Sequence, residues 1–154
     1  MPSNQIKFFS NNVSSPVRNK KLIRKWLFLL MEKEINNLTL AEINLIFCDD
    51  EYLYSLNKEY LKHTTLTDII TFDYSEKKEI KGDVFISVER VKENAKIFSQ
   101  TFSKEISRVM AHGLLHLCGY KDKTVKEKTL MTTKEDFYLQ ILNELINQQH
   151  DKNS

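Results

Sequence analysis

Cysteine is scarce, with two in 154 residues. Cys48 falls in an apolar, strand-like run and Cys118 in a helix-like one, and no secretory signal precedes them. The expectation is free thiols in a reducing cytoplasm, with no disulfide framework to shape the fold. Long apolar runs are missing as well. The longest, Trp26 to Met31, is far too short to span a bilayer, so no membrane contact is expected. Charge of one sign is also lacking, since 23 Lys and Arg face 21 Asp and Glu for a formal net charge of +2. That balance neither demands nor excludes a nucleic-acid partner, and any such affinity must come from a local patch. No internal repeat, low-complexity tract or linker-like stretch interrupts the chain.

What is present is the composition of a folded protein, 41% hydrophobic and 29% charged residues, too apolar for a disordered one. The length is enough for one domain with its own core. We expect that domain over residues 1–150, with a frayed polar tail at 151–154. Residues 5–9 alternate as a first strand. Ser15 and Pro16 then have the form of an N-cap and first helical residue, opening an amphipathic helix. Its core face reads Ile23, Trp26, Leu27, Leu30 and Glu34, with Arg18, Lys21, Arg24 and Lys25 elsewhere. Residues 43–48, 69–73 and 82–87 have strand character. Asp49 and Asp50 cap a short helix reaching about Tyr60, residues 61–68 form a loop containing His63, and a further helix covers 88–99. The last helix is expected from about Lys126 to Gln148, with Leu130, Phe137, Ile141, Leu142 and Leu145 toward the core; His150 lies in the polar tail.

The stretch from Ala111 to Asp122 carries the chemistry. A helix from about Ser103 with the stripe Ile106, Val109, Met110, Gly113, Leu114 and Leu117 puts His112 and His116 on one flank. Four residues apart, their Cβ atoms are about 5–6 Å from each other, a spacing that suits one metal ion. Gly119 can take the left-handed conformation that ends a helix, and the chain can then fold Asp122 back beside the two imidazoles. Two histidines and a carboxylate are a catalytic zinc set with a fourth position open. Cys118, roughly 200° around the helix from His116, belongs to the core instead. Glu105 and Arg108, further N-terminal along the same line, are either partners that steady the site or a surface ion pair with each other.

These residues resemble the YbeY-type endoribonucleases, a family of ribosomal RNA maturation factors with the motif His-Gly-x-Leu-His-Leu-x-Gly-Tyr-Asp-His. The chain reads His112, Gly113, Leu114, Leu115, His116, Leu117, Cys118, Gly119, Tyr120, Lys121, Asp122. Further blocks follow the family order: Leu56-Asn57-Lys58-x-Tyr60, Thr67 to Phe72, Gly82 to Ser87, Glu105, and Met131 with Glu135. The resemblance implies a compact α+β fold, with a small mixed sheet of about four strands and five or six helices. It also implies one zinc ion per chain at the C-terminal end of the motif helix, held by His112, His116 and Asp122. Single-strand endoribonuclease activity in 16S rRNA 3′-end maturation and ribosome quality control is the implied function. The implied partners are single-stranded RNA, rRNA and the small ribosomal subunit in the cytoplasm, not DNA.

The chain departs from that pattern at two places. Asp122 stands where the family has a third histidine, lowering the formal charge of ion plus ligands from +2 to +1, and Lys121 replaces the preceding aspartate. Leu61 and Lys62 follow Tyr60 where the family carries an arginine, exchanging a bidentate phosphate grip for a point charge. Lys62 and Arg108 are the candidate catalytic cations. Two other functions compete. One is a non-catalytic RNA-binding assembly factor with a structural zinc. The other is a zinc peptidase, which needs a glutamate general base after the first histidine, where this chain has Gly113.

Overall fold

The computed structural model describes residues 2–37, 39–61, 67–77 and 79–153. Four strands, β1 (Ile6–Ser10), β2 (Thr39–Cys48), β3 (Ile69–Asp73) and β4 (Glu79–Ser87), form one sheet in the order β1-β2-β4-β3. The first three neighbours run parallel, while β3 pairs antiparallel with β4 and forms an edge. The helices are α1 (Lys20–Glu34), α2 (Asp50–Leu56), α3 (Val88–Ile97), α4 (Phe102–Leu117) and α5 (Val125–Asn153). The architecture is the expected α+β fold with a small mixed sheet.

Alternation along the strands decides which face is covered. Ile43, Leu45 and Phe47 of β2 and Val84 and Ile86 of β4 are fully buried in one core with α1, α4 and α5. The opposite face is apolar only at one end, where Cys48, Ile70, Phe72 and Phe85 pack with Leu53 of α2. Half-buried antiparallel and parallel strands with period two bury in this manner. Trp26 ties two helices of the main core together, its indole donating to the Tyr138 carbonyl at 2.7 Å.

Three expectations need correction. Helix α1 begins at Lys20, capped by Asn19, whose side chain accepts from the Leu22 amide. Ser15 accepts from the Val17 amide in a local turn instead, and Val17 is buried there. Serine's competition for nearby backbone groups therefore closes a turn before the helix rather than opening it. In α5 the inward stripe is Met131, Glu135, Tyr138, Leu139 and Leu142, while Leu130 and Phe137 are 48% and 49% exposed. The first half of the helix presents that face because its seam must meet both α1 and α4, while Ile141, Leu142 and Leu145 pack on the core as expected. It also continues as helix to Asn153, through the expected polar tail. Among the described residues, no helix is long and apolar enough to cross a membrane.

Helix α4 lies over the edge of the sheet that ends in β3. The close approach has a local cause: Gly113 faces Val84 and Ile69, and Gly82 faces Leu117, with no room for a Cβ at either glycine. One flank of α4 is thus pressed to the sheet, and the other carries His112 and His116 along a cleft.

Candidate metal centre

The turn after α4 is fixed at both ends. Gly119 has φ +103. The Tyr120 amide donates to Leu115 O at 3.1 Å and the Gly119 amide to His116 O at 3.0 Å. This is the doubly bonded glycine cap of a helix C-terminus. Four residues later α5 starts in a capping box, in which the Glu127 amide donates to Thr124 Oγ and the Thr124 amide to Glu127 Oε1 at 2.9 Å. Asp122 sits between these caps, so two helix ends aim it.

Each imidazole is oriented through its Nδ1. His116 Nδ1 lies 2.9 Å from the Tyr120 carbonyl, which can only accept, so the proton sits on Nδ1. His112 Nδ1 lies 2.7 Å from Glu135 Oε2. With Nδ1 protonated on both rings, each neutral Nε2 is a lone pair. Those two nitrogens and Asp122 Oδ2 stand 3.0, 3.2 and 3.3 Å apart. Ligands bonded to zinc at about 2.0–2.1 Å and the tetrahedral angle are about 3.3–3.4 Å apart. Three acceptors turned toward one another repel unless a cation lies among them, and their spacing suits one. His112, His116 and Asp122 are the group of metal-ligating side chains that converges among the described residues, and they could hold a metal ion.

Around this triangle runs a cleft of about 760 Å³ lined by Thr67 to Thr71, Glu105, Arg108, Val109, Lys123 and Glu135 as well as the three ligands. Burial opposes the His112 imidazolium, but the hydrogen bond and charge of Glu135, with the charges of Asp122 and Asp68, outweigh it and hold the ring's pKa above its ordinary value. Arg108 does not pair with Glu105. It donates to Glu135 at 2.8 Å and to Asp136 at 2.5 Å, one bond from each terminal nitrogen to a carboxylate of α5. Lys62 and His63 lie outside the described residues. Lys121 is exposed, and Cys118 sits with its sulfur 3.6 Å from that of Met31, its thiol pushed up to about 12 chiefly by burial. His150 is an exposed residue of α5, away from the cleft.

Two contributors escaped the sequence reading. Glu135 stood in a matching block without a role, and it is the partner of His112. Glu34 falls on the apolar face of α1, where a carboxylate is out of keeping, and that oddity is its signal. Its side chain is 7% exposed and accepts from Tyr120 Oη at 2.5 Å, Tyr138 Oη and Lys134 Nζ at 3.2 Å. The Tyr120 residue that orients His116 is therefore held from α1 and α5.

A family model described as endoribonuclease YbeY matches residues 5–143. The endoribonuclease YbeY of Flavobacterium johnsoniae is 51% identical over 128 residues, covering 83% of this chain and 91% of that protein. The endoribonuclease YbeY of Cytophaga hutchinsonii is 49% identical over 142 residues, with 92% and 98% covered. Among solved structures, the solution structure of the TM1509 protein from Thermotoga maritima superposes with TM-score 0.64 at 25% identity, covering 97% of this chain and 96% of that one.

Proposed function

Since the chain belongs to the endoribonuclease YbeY family, we propose that it is a zinc-dependent, single-strand-specific endoribonuclease acting in 16S rRNA 3′-end maturation and ribosome quality control. The observation that carries the metal requirement is the convergence of three protein lone pairs at 3.0–3.3 Å, with both other ring nitrogens already committed. When bound, zinc supplies Lewis acidity toward a phosphoryl oxygen and a water of lowered pKa.

The chain's own residues do the rest. His112, His116 and Asp122 bind the ion, and Glu135 and the Tyr120 carbonyl hold the two rings in the ligating tautomer. Arg108 orients Glu135 and, lining the cleft with three N–H donors beyond those given to Glu135 and Asp136, is a cation for the substrate phosphate as well. Lys62, and Lys123 at the cleft wall, are the cations assigned to substrate phosphate. Asp122 leaves the ion with a smaller net charge than a third histidine would. A peptidase reading is disfavoured, because Gly113 stands where such enzymes carry the glutamate general base after the first histidine.

The test is elemental analysis of the purified protein beside His116→Ala and Asp122→Ala, with single-stranded RNA cleavage assayed on the same samples. About one zinc per chain, lost with cleavage in either variant, is the expected result. No zinc in the wild type after zinc addition removes the metalloenzyme reading. Zinc kept by Asp122→Ala gives the carboxylate another role.

A further inference from the structure

Glu34 closes α1 on the face that buries Trp26, Leu27, Leu30 and Met31. Its side chain is 7% exposed, and neither it nor Tyr120, Lys134 or Tyr138 lines the cleft, so none of the four meets substrate there. A buried carboxylate is expensive, and a leucine or methionine in its place would pack without that cost. The group is nonetheless completely engaged. Oε1 accepts from Tyr120 Oη at 2.5 Å, and Oε2 accepts from Tyr138 Oη and from Lys134 Nζ at 3.2 Å. Lys134 Nζ also stands 5.6 Å over the Tyr120 ring. Tyr138, 1% exposed, is locked in turn by the Trp26 indole on its carbonyl. Tyr120 is thus gripped at its hydroxyl and on its ring from two helices.

The backbone of Tyr120 shows what that grip sets. Its amide is tied to Leu115 O by the helix cap, and its carbonyl lies 2.9 Å from His116 Nδ1. Between the two lie the torsions of a residue already outside the helix, and Lys121, which follows, is exposed. With the far end of the ring anchored, the direction of the carbonyl is fixed through the side chain. We propose that Glu34 is a positioning residue for the metal centre, a role that rests on the zinc reading above. Holding Tyr120 from α1, it fixes the carbonyl that keeps the proton of His116 on Nδ1 and turns Nε2 toward His112 and Asp122. Partners of ligating imidazoles tune metal affinity because they set both the ring direction and the tautomer. One turn of α5 serves both rings. Glu135 bonds His112 directly, and its neighbour Lys134 reaches His116 through Glu34 and Tyr120. Docking of α1 on α5 is therefore a condition for a tight site, which the histidines of α4 do not meet alone.

The experiment measures zinc affinity by competition with a chromogenic chelator, using the whole chain. The panel is the wild type, Tyr120→Phe, Glu34→Gln, their double variant and Tyr138→Phe, with the Tm of each zinc-free protein taken beside it. Tyr120→Phe deletes one hydroxyl and keeps the ring and backbone. Tyr138→Phe deletes an O–H from the same carboxylate and leaves the Tyr120 bond in place. Zinc affinity is expected to fall roughly 10-fold in Tyr120→Phe and in Glu34→Gln, the lower end of the loss on removing a partner of a ligating histidine. The double variant should lie within about 2-fold of the weaker single one, because both changes break the same path. Tyr138→Phe should bind zinc as the wild type does although it melts earlier. In the zinc-free protein, imidazole nitrogen NMR should show His116 as the Nδ1–H tautomer in the wild type and in Tyr138→Phe, and shifted toward Nε2–H in Tyr120→Phe. Wild-type zinc affinity in both Tyr120→Phe and Glu34→Gln overturns the role. So does a loss of affinity that follows Tm through every variant, Tyr138→Phe included. If the wild type takes up no zinc, the metal reading fails, and the tautomer panel decides the positioning of His116 separately: an unchanged tautomer in Tyr120→Phe overturns it.

Discussion

Replacing Gly113 with alanine sets two well-defined effects against each other. In an exposed helix interior the change stabilises by about 1 kcal/mol, because glycine loses more backbone entropy on folding. Here the new methyl would lie 2.7 Å from Val84 Cγ1 and 3.0 Å from Ile69 Cδ1. Val84 is fully buried on a central strand and β-branched, so its one flexible torsion has little room to turn. Overpacking of this kind costs about 1–3 kcal/mol. The clash meets a stiff group on the sheet side and should win, leaving a net loss of up to about 2 kcal/mol. For a domain of this length that is a fall in Tm of up to about 8 °C. Thermal denaturation of Gly113→Ala, Val84→Ala and the double variant makes the cause visible. If the contact is the cause, the double variant is more stable than the sum of the single changes predicts, by about 1 kcal/mol or more. A Tm that rises in Gly113→Ala, or strict additivity in the cycle, would refute the steric account.

Glu34→Gln should destabilise the protein by about 1–3 kcal/mol at pH 7, since hydrogen bonds to a charged acceptor are weakened at once. Burial alone would raise the Glu34 pKa from 4.5, but the hydrogen bonds from Tyr120, Tyr138 and Lys134, with the lysine's charge, hold it lower. A depressed carboxylate stabilises above its unfolded value and loses that contribution as pH falls through the folded one. The gap between wild type and Glu34→Gln in urea titrations should therefore narrow below pH 4.5; a gap independent of pH would count against the ionised carboxylate. Cys48 is fully buried, and burial, with Asp49 and Asp50 nearby, pushes its thiol up to about 12. Native protein at pH 8 should resist alkylation at Cys48, as read by peptide mass mapping, and react on unfolding. Prompt native labelling would contradict that burial.

The sequence alone determined the local parts of this protein. Histidines four residues apart on a helix share a flank whatever surrounds them, and Gly119 ends that helix because it alone tolerates φ +103 there. The strands of residues 69–73 and 43–48 were legible in their β-rich composition, as was the Asp49 cap in its side chain. Thr124 and Glu127 carry the capping-box spacing that starts α5. Only the tertiary structure decided the rest, because those contacts join segments far apart in the chain. Glu135 meets His112 across 23 residues and Glu34 meets Tyr120 across 86, and no local periodicity encodes either. The first half of α5 differs from its apolar pattern for the same reason: Leu130 and Phe137 are apolar enough to define a face, but packing against α1 and α4 chose Met131 and Tyr138. Arg108 shows the principle at the site itself. Along its own helix it could pair with Glu105, and the docking of α5 gave it two other carboxylates, Glu135 and Asp136.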